Sequence, residues 1–170
     1  MAIGAVVLAA GASTRYGRPK QHELLPSVLE RLGRSAVDEI VVVEGAYRLR
    51  HEPGSAYGGN QVRLVRCDDW ERGPGASLRA GLAALSPSVT HAVIVLADGP
   101  ELDPRAVERM LAHKDDADVL AASYDGTRDH PVVVARAAWS TIPDEGGRAL
   151  SPTLVDCSDL EPPGDIDVPA

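Results

Sequence analysis

The 170-residue chain contains no phenylalanine, and aromatic residues make up only 4% of it. With so few aromatic side chains, the protein offers no platform on which nucleic-acid bases could stack. Lysine and arginine are also in the minority, 17 against 25 acidic residues, which gives a net charge of −8. Because binding to a phosphate backbone relies on Lys and Arg, we expect no nucleic-acid partner. The core must be built from Ala, Val and Leu.

Cysteine is scarce too, since Cys67 and Cys157 are the only two and form no CxxC spacing. We expect two reduced thiols in a cytoplasmic protein. The apolar run Ile3–Ala10 is short for a signal peptide and no Lys or Arg precedes it, so we expect no secretion signal. Charged residues, at 25%, argue against a membrane span and against disorder, and we expect no membrane partner. We predict one domain over residues 1–170, in a monomer or weak homo-oligomer.

Short runs rich in Val, Ile, Leu and Ala alternate with helical patterns along the chain. The runs predict strands covered on both faces, at Ile3–Leu8, Glu39–Val43, Val62–Val65, Ala92–Leu96, Asp118–Ala121 and His130–Ala135. Helical stripes lie at Leu24–Leu32, Leu78–Leu85 and Val107–Leu111, and shorter helices are predicted at Ala137–Ile142 and Gly147–Leu154. The alternation predicts an α/β fold with three layers and a Rossmann-like, doubly wound, mostly parallel sheet.

Three details refine this prediction. Pro26 is tolerable only near the first turn of the first helix. Asp103, followed by Pro104, is the predicted N-cap of the third helix. The strand His130–Ala135 follows a turn signal and is a candidate for antiparallel pairing. The tail from Asp156 onwards is expected to be mostly irregular.

A loop of small residues and cations follows the first strand. Gly11 opens it, and Arg15, Arg18 and Lys20 follow with almost no acid among them. Exposed backbone N–H groups with nearby cations are what a polyphosphate needs, and we interpret the loop as a cradle for a nucleotide triphosphate. The spacing is neither a Walker A motif nor G-x-G-x-x-G. The alternative interpretation is a flexible loop with solvated cations.

Asp98 follows the fourth predicted strand. In a doubly wound sheet, ligands bind outside the carboxyl ends of the strands, where the strand order reverses. The first and fourth strands are neighbours there in the common order, so we expect Asp98 beside the Gly11 loop. A carboxylate next to phosphates suits Mg²⁺, which takes one or two carboxylates plus phosphate oxygens. An Asp before Gly-Pro is also an ordinary turn former.

Other candidates have both a structural and a functional interpretation. Ser77 is either a helix N-cap or part of a glycine-rich segment that approaches a nucleobase or ribose closely. His130 is either a packed residue at a strand end or a catalytic group. Asp165 and Asp167 share one face of an extended chain, or belong to a solvated acidic tail.

Six segments form a set of motifs: Leu8–Lys20, Gly75–Gly81, Leu96–Pro100, Gly126–Pro131, Asp144–Arg148 and Asp165–Pro169. In this order they resemble the L-A-A-G-x-S-x-R-x-G-x-P-K, G-x-S-L-x-x-G, L-x-D-x-P, G-x-R-x-H-P, D-x-G-A-R and D-I-D-T-P motifs of the MobA-like NTP transferases. That family includes the molybdenum cofactor cytidylyltransferases and guanylyltransferases. The Ala-Ala-Gly sequence resembles the cytidylyltransferase branch more than the guanylyltransferase branch.

The resemblance implies a fold of the nucleotide-diphospho-sugar transferase type. It also implies Mg²⁺-dependent transfer of a nucleoside monophosphate from an NTP, CTP rather than GTP, to a small phosphorylated acceptor such as a molybdopterin-type cofactor, with release of pyrophosphate. The implied nucleotide-binding residues are Leu8, Ala9, Ala10, Gly11, Ser13, Arg15, Lys20, Gly75 and Ser77. The implied catalytic residues are Arg15, Lys20 and Asp98, the metal ligands Asp98, Asp167 and Asp165, and the acceptor-binding residues His130 and Arg148.

The chain departs from the family pattern after Lys20 and at Gly99, and the family's short helix after the D-I-D-T-P motif is not expected in this sequence. Family members insert a β-ribbon after the lysine, whereas here Lys20 passes almost directly into a helix, and Gly99 replaces a larger polar residue, commonly Gln. Two other functions stay open. One is a catalytically degenerate nucleotide-binding or regulatory module of the same fold. The other is an NAD-dependent oxidoreductase with Glu44 as the ribose-binding acid, although Glu44 lies further from Gly11 than the roughly 20 residues of that fingerprint.

Overall fold

The computed structural model describes residues 1–11, 20–49, 56–57 and 59–164, and for residues 20–22, 56–57 and 148 it describes the backbone alone. Within these ranges, eight strands form one sheet flanked by three α-helices. The strands are β1 (Ala2–Ala9), β2 (Glu39–Glu44), β3 (Ala56–Tyr57), β4 (Asn60–Arg66), β5 (Val89–Leu96), β6 (Val119–Tyr124), β7 (Thr127–Ala135) and β8 (Thr153–Asp156). The helices are α1 (Lys20–Leu32), α2 (Pro74–Ala84) and α3 (Pro104–Ala112), and 3-10 turns cover Trp70–Arg72, Arg136–Thr141 and Gly146–Ala149.

The strand order across the sheet is β3-β4-β2-β1-β5-β7-β6-β8. β1 pairs in parallel with both β2 and β5, β2 with β4, and β6 with β8. β7 runs antiparallel to β5 and to β6. The predicted α/β class is confirmed, and so are the adjacency of the first and fourth predicted strands and the antiparallel direction of His130–Ala135.

Apolar side chains cover both faces of the sheet. The helices α1 and α3 bury their apolar residues on one face, and α2 covers the other. Gly81 brings α2 close to the strands, because a Cβ at this position would lie 2.5 Å from Cγ1 of Val6 and 2.8 Å from Cγ2 of Val43. The layers hold the carboxyl ends of β1, β2 and β5 at one edge of the sheet. No helix in the described part of the chain combines the length and the apolar character needed to cross a bilayer.

The position of Pro26 differs from the prediction. α1 begins at Lys20, so Pro26 is the seventh residue of the helix and lies beyond its first turn. A proline there removes one backbone hydrogen bond and costs about 3 kcal/mol. The cost is offset because the helix buries a stripe of apolar residues, Leu25, Val28, Leu29 and Leu32. Pro26 itself is exposed, so its ring displaces no core side chain.

The helix predicted at Gly147–Leu154 is wrong over most of its length. Only a 3-10 turn at Gly146–Ala149 forms, and the chain then enters β8, which pairs with β6. In β8, Val155 is 8% exposed and Leu154 is 48% exposed, the alternation of a strand with one covered face. A short apolar run does not distinguish a helix from a strand, and here pairing with β6 decides the outcome.

The remaining predictions of short elements had mixed outcomes. The N-cap of α3 is confirmed, since the Asp103 carboxylate accepts the N–H of Arg105 over 2.9 Å. Ser77 does not cap α2, because that helix already begins at Pro74. In place of the α-helix predicted at Ala137–Ile142, a 3-10 turn covers Arg136–Thr141.

Candidate active site

The chain changes its direction of travel across the sheet between β1 and β5. From β1 it proceeds to β2 and β4 on one side, and it returns to β5 on the other side. Leu8 and Leu96 are paired in register, and the N–H of Ala97 donates to the carbonyl of Leu8 over 3.0 Å. The turn at 10–11 and Asp98 therefore leave neighbouring strands at the same edge. This is where doubly wound sheets bind ligands.

Small residues line this edge on the β1 side. Ala9 and Ala10 are buried, at 3% and 7% exposure, and Gly11 is exposed. Gly45, directly after β2, packs so closely that a Cβ on it would lie 2.9 Å from Cβ of Ala10. The N–H of Ala46 donates to the carbonyl of Ala10 over 3.1 Å. A ligand at this edge meets backbone and small side chains, which permits close approach of a phosphate or nucleoside.

Several predicted site residues lie outside the described residues, in whole or in their side chains. They are Ser13, Arg15, Asp165 and Asp167, together with the side chains of Lys20 and Arg148. The backbone of Lys20 begins α1, and that of Arg148 lies in the last 3-10 turn. The roles of these residues stay predictions.

Asp98 lines a pocket at the carboxyl end of β5. The other lining residues are Val95, Leu96, Gly99, Leu102, Asp129, His130 and Pro163. Asp98 is half-buried, and its Oδ1 atom is shielded from solvent. The pocket combines apolar walls with two carboxylates and an imidazole. Such a combination suits a polar ligand that is oriented by a few charged contacts.

A register shift in β7 lies beside Asp129 and His130. Ala121 of β6 pairs with Val132 of β7, but the next residue, Ala122, pairs with Asp129. His130 and Pro131 lie between these two pairs and are therefore extra residues of β7. Irregularities of this kind change the direction of side chains. Oδ1 of Asp129 accepts the backbone N–H of His130 over 2.7 Å and lies 3.6 Å from its Nδ1. Burial acts to raise the pKa of the Asp129 carboxyl, but the hydrogen bonds from His130 outweigh it and the pKa lies below its ordinary value.

The glycine at the start of α2 has a structural role that the sequence did not indicate. A Cβ on Gly75 would lie 1.7 Å from the carbonyl oxygen of Pro143. The N–H of Gly75 donates to the carbonyl of Asp144 over 2.9 Å. The protein's own backbone therefore requires a glycine here, whichever ligand binds. Ser77, 3% exposed, lies one turn before Gly81 and so on the side of α2 that faces the sheet.

The last described residues cross the Asp98 loop. The N–H of Glu101 donates to the carbonyl of Pro163 over 2.9 Å. A Cβ on Gly99 would lie 2.9 Å from Cβ of Pro163, and one on Gly164 would lie 3.3 Å from Oε2 of Glu101. A side chain at residue 99 would therefore meet Pro163, so packing in this chain favours a glycine there.

We expect Gly99→Ala to destabilise the protein by about 1–3 kcal/mol, because the added methyl group overpacks the contact with Pro163. The measurement is the free energy of unfolding in urea. The matched background is Pro163→Gly, which removes the Cβ that the methyl group would meet. In that background Gly99→Ala should cost much less, so the two changes are coupled. Equal costs in the two backgrounds would show that the contact does not explain the glycine.

The donor atoms of the pocket suit a hard divalent cation. Two carboxylate residues, Asp98 and Asp129, line it. Over the described ranges, no three or more His, Cys, Asp or Glu side chains are grouped so as to hold a metal ion. Mg²⁺ does not need such a cage, because it keeps several waters and takes one or two carboxylates together with substrate phosphates.

Glu44, the ribose-binding acid of the oxidoreductase alternative, has another partner. It is buried at 7% exposure, and its Oε2 accepts the N–H of Leu49 over 2.8 Å. A buried carboxylate that is hydrogen-bonded to a backbone N–H of its own loop is not available to a ribose hydroxyl group. This contact disfavours the oxidoreductase.

Residues 5–150 match the family model described as the MobA-like NTP transferase domain. The chain belongs to this family. Its members are NTP transferases, so the resemblance read from the six motifs is confirmed over most of the chain. The comparison with curated proteins gave no match.

Solved structures share the fold of this family member. Rv0371c from Mycobacterium tuberculosis is 26% identical with a TM-score of 0.81, over 99% of this chain and 94% of that chain. A structure of Rv0371c in complex with manganese gives 23% identity and a TM-score of 0.66, over 92% of this chain and 89% of that one. CMP:2-keto-3-deoxy-manno-octonic acid synthetase complexed with CTP is 13% identical with a TM-score of 0.67, over 97% of this chain and 93% of that chain. The α/β fold is that of nucleotidyltransferases.

Two residues of the site were not singled out from the sequence. Asp129 occupies the variable position of the G-x-R-x-H-P motif, and a carboxylate directly before His130 at a strand end was the signal that could have identified it. Pro163 gave no signal, because its contact with Gly99 joins residues far apart in the chain.

Proposed function

We propose that this family member transfers a nucleoside monophosphate from an NTP, CTP in preference to the others, to a small phosphorylated acceptor such as a molybdopterin-type cofactor. Pyrophosphate is the second product. The observation that supports this most is the adjacency of the 10–11 turn and Asp98, fixed by the pairing of Leu8 with Leu96. A glycine-opened turn suits phosphates, and a carboxylate beside it suits a divalent cation. The Ala-Ala-Gly sequence supports CTP.

The transfer exchanges one phosphorus–oxygen bond for another. An oxygen of the acceptor phosphate bonds to the α-phosphorus while the bond from the α-phosphorus to the bridging oxygen breaks, and pyrophosphate leaves with that electron pair. A phosphate monoester is mostly ionised at pH 7, so it needs no general base. The protein's task is to align the groups in line and to spread negative charge. We assign charge neutralisation to Arg15, Lys20 and the N–H groups of the turn.

Asp98 is the proposed ligand of Mg²⁺, together with Asp165 or Asp167. When bound, the ion supplies Lewis-acid stabilisation of charge on the phosphate oxygens. Asp98 suits this role because it stands at the carboxyl end of β5 on the edge of the pocket. The chain also passes the Asp98 loop, through Pro163 and Gly164, immediately before residue 165.

The acceptor is assigned to the side of the pocket formed by β7. His130 is 27% exposed in its side chain and lines the pocket opposite the end of β5. Asp129 fixes the backbone N–H of His130 and so limits the orientations of the residue. His130 then donates or accepts a hydrogen bond with the acceptor, and Arg148 is proposed to pair with the acceptor phosphate.

We expect CTP with Mg²⁺ to raise the melting temperature, since a ligand that binds only the folded state at 100 times its Kd stabilises it by about 2.7 kcal/mol. The measurement is a thermal-shift series with CTP, GTP, ATP and UTP, each with and without Mg²⁺. CTP should give the largest shift, and omission of Mg²⁺ should reduce it. Unchanged melting temperatures with all four nucleotides would overturn the proposed function.

A second candidate is a nucleotide-binding module of the same fold without catalysis. It is favoured by one observation, namely that α1 begins at Lys20 and leaves no ribbon between the lysine and the helix. The two candidates differ in pyrophosphate release from CTP across a panel of phosphorylated acceptors. Release with any acceptor supports the transferase, and binding without release supports the module.

A further inference from the structure

Residues 142–150, the bridge segment, contact both helix α2 and strand β7. The segment begins beside the N-terminus of α2 and ends beside the first residues of β7. It carries the backbone of Arg148 in a 3-10 turn. Arg148 is one of the two residues proposed for the acceptor, and the other, His130, belongs to β7.

Helix α2 holds the first part of the bridge segment. The guanidinium of Arg79 donates to the carbonyl of Ile142 over 2.9 Å and to Oδ1 of Asp144 over 2.5 Å. Arg72 adds a longer contact to Oδ2 of Asp144, 3.3 Å. Hydrogen bonding from Arg79 lowers the pKa of the Asp144 carboxyl, so this partner is charged at neutral pH. The backbone contact of Asp144 with Gly75 fixes the same point independently.

Strand β7 holds the second part. The guanidinium of Arg128 donates to the carbonyls of Gly147 and Leu150, the latter over 3.1 Å. These two residues flank Arg148 in the sequence. Arg128 is half-buried and stands two residues before His130 on the same strand. Strand β7 therefore carries both His130, a proposed acceptor contact, and Arg128, which supports the backbone around Arg148, the second proposed contact.

We propose that Arg79 and Arg128 are positioning residues of the transfer reaction. They place the backbone of Arg148 between the nucleotide side, at α2, and the acceptor side, at β7. Charge-assisted hydrogen bonds from a planar guanidinium to two acceptors define both distance and direction, which a single contact does not. The inference rests on the proposed function, because it assigns the purpose of the bridge segment to acceptor binding.

Arg136 is the matched control for Arg128. Its guanidinium also donates to two backbone carbonyls, those of Val89 over 2.6 Å and Ser86 over 2.8 Å. These partners lie at the amino end of β5, the edge of the sheet opposite the pocket. Arg136 also stacks over the ring of Trp139 at 4.2 Å. Arg128→Met and Arg136→Met thus each remove a guanidinium that bonds two backbone carbonyls, one at the site and one away from it.

The experiment measures two affinities in the wild type and in both variants. The probes are a non-hydrolysable CTP analogue with Mg²⁺, and inorganic phosphate as the acceptor mimic in the presence of that complex. Arg128→Met should weaken phosphate binding about 10- to 100-fold, the effect of losing hydrogen bonds to a charged group, and should leave the affinity for the analogue within about twofold. Arg136→Met should change neither affinity, and Arg128→Lys should restore part of the loss.

Hydrogen exchange of the amides of residues 145–150 supplies a readout that does not depend on a ligand. Exchange should become faster in Arg128→Met and stay unchanged in Arg136→Met. Equal phosphate affinities in the two methionine variants, or equal exchange in the bridge segment, would overturn the inference alone. Failure of the wild type to bind the CTP analogue would instead overturn the proposed function.

Discussion

Asp98→Asn is expected to lower the rate of pyrophosphate release about 10²–10³-fold, the usual effect of removing one preorganised charged group from an active site. Asparagine has the shape of aspartate but lacks the negative charge that a divalent cation requires. The measurement is single-turnover release of pyrophosphate from CTP and Mg²⁺ with an acceptor that the wild type uses. Near-normal release by the variant would remove Asp98 from the metal site.

The control for this prediction is Asp118→Asn. Asp118 is exposed and lies just before β6, at the edge of the sheet away from the pocket. Its replacement makes the same change in net charge without touching the carboxyl end of β5. Both variants should keep the melting temperature of the wild type. A loss of activity shared by both variants would indicate a general charge effect rather than a metal ligand.

Gly75→Ala is expected to cause the largest loss of stability among single methyl additions near the site. Its Cβ would lie 1.7 Å from the carbonyl oxygen of Pro143, a backbone atom that can move only with the bridge segment. Overpacking of this kind costs about 1–3 kcal/mol, occasionally more. The melting temperature should fall by about 2–4 °C for each kcal/mol lost, as is usual for domains of this size.

Gly147→Ala is the matched control within the same segment. A Cβ there would have only Nη2 of Arg128 within 4 Å, at 3.7 Å, which is an ordinary contact with a movable side chain. Alanine at this position should leave the melting temperature nearly unchanged or raise it slightly. Similar losses in both variants would show that the proximity of Gly75 to Pro143 is not what requires a glycine.

The strand arrangement could be predicted because the sequence carries it locally. The runs at Ile3–Leu8 and Ala92–Leu96 are apolar without alternation, which indicates strands covered on both faces. Strand–helix–strand alternation then restricts the topology to a few arrangements, and in the common one these two strands are neighbours. The position of Asp98 beside the 10–11 turn followed from that topology and from no local signal.

Other features could not be predicted because they depend on contacts between distant residues. The sequence of β8 alone is compatible with a helix. It forms a strand because it pairs with β6. Pro26 is tolerated in α1 because of burial on the other side of that helix. The supporting contacts of the site are of the same kind, since Arg79 meets Asp144 and Gly99 meets Pro163 only in the folded chain.

Anomalous diffraction from a crystal soaked with Mn²⁺ and a non-hydrolysable CTP analogue would locate the metal and the triphosphate relative to Asp98. We expect a manganese peak on the carboxylate of Asp98, with the triphosphate along the 10–11 turn and its oxygens completing the coordination. A triphosphate bound elsewhere on the protein, or a manganese ion that does not contact Asp98, would contradict this expectation.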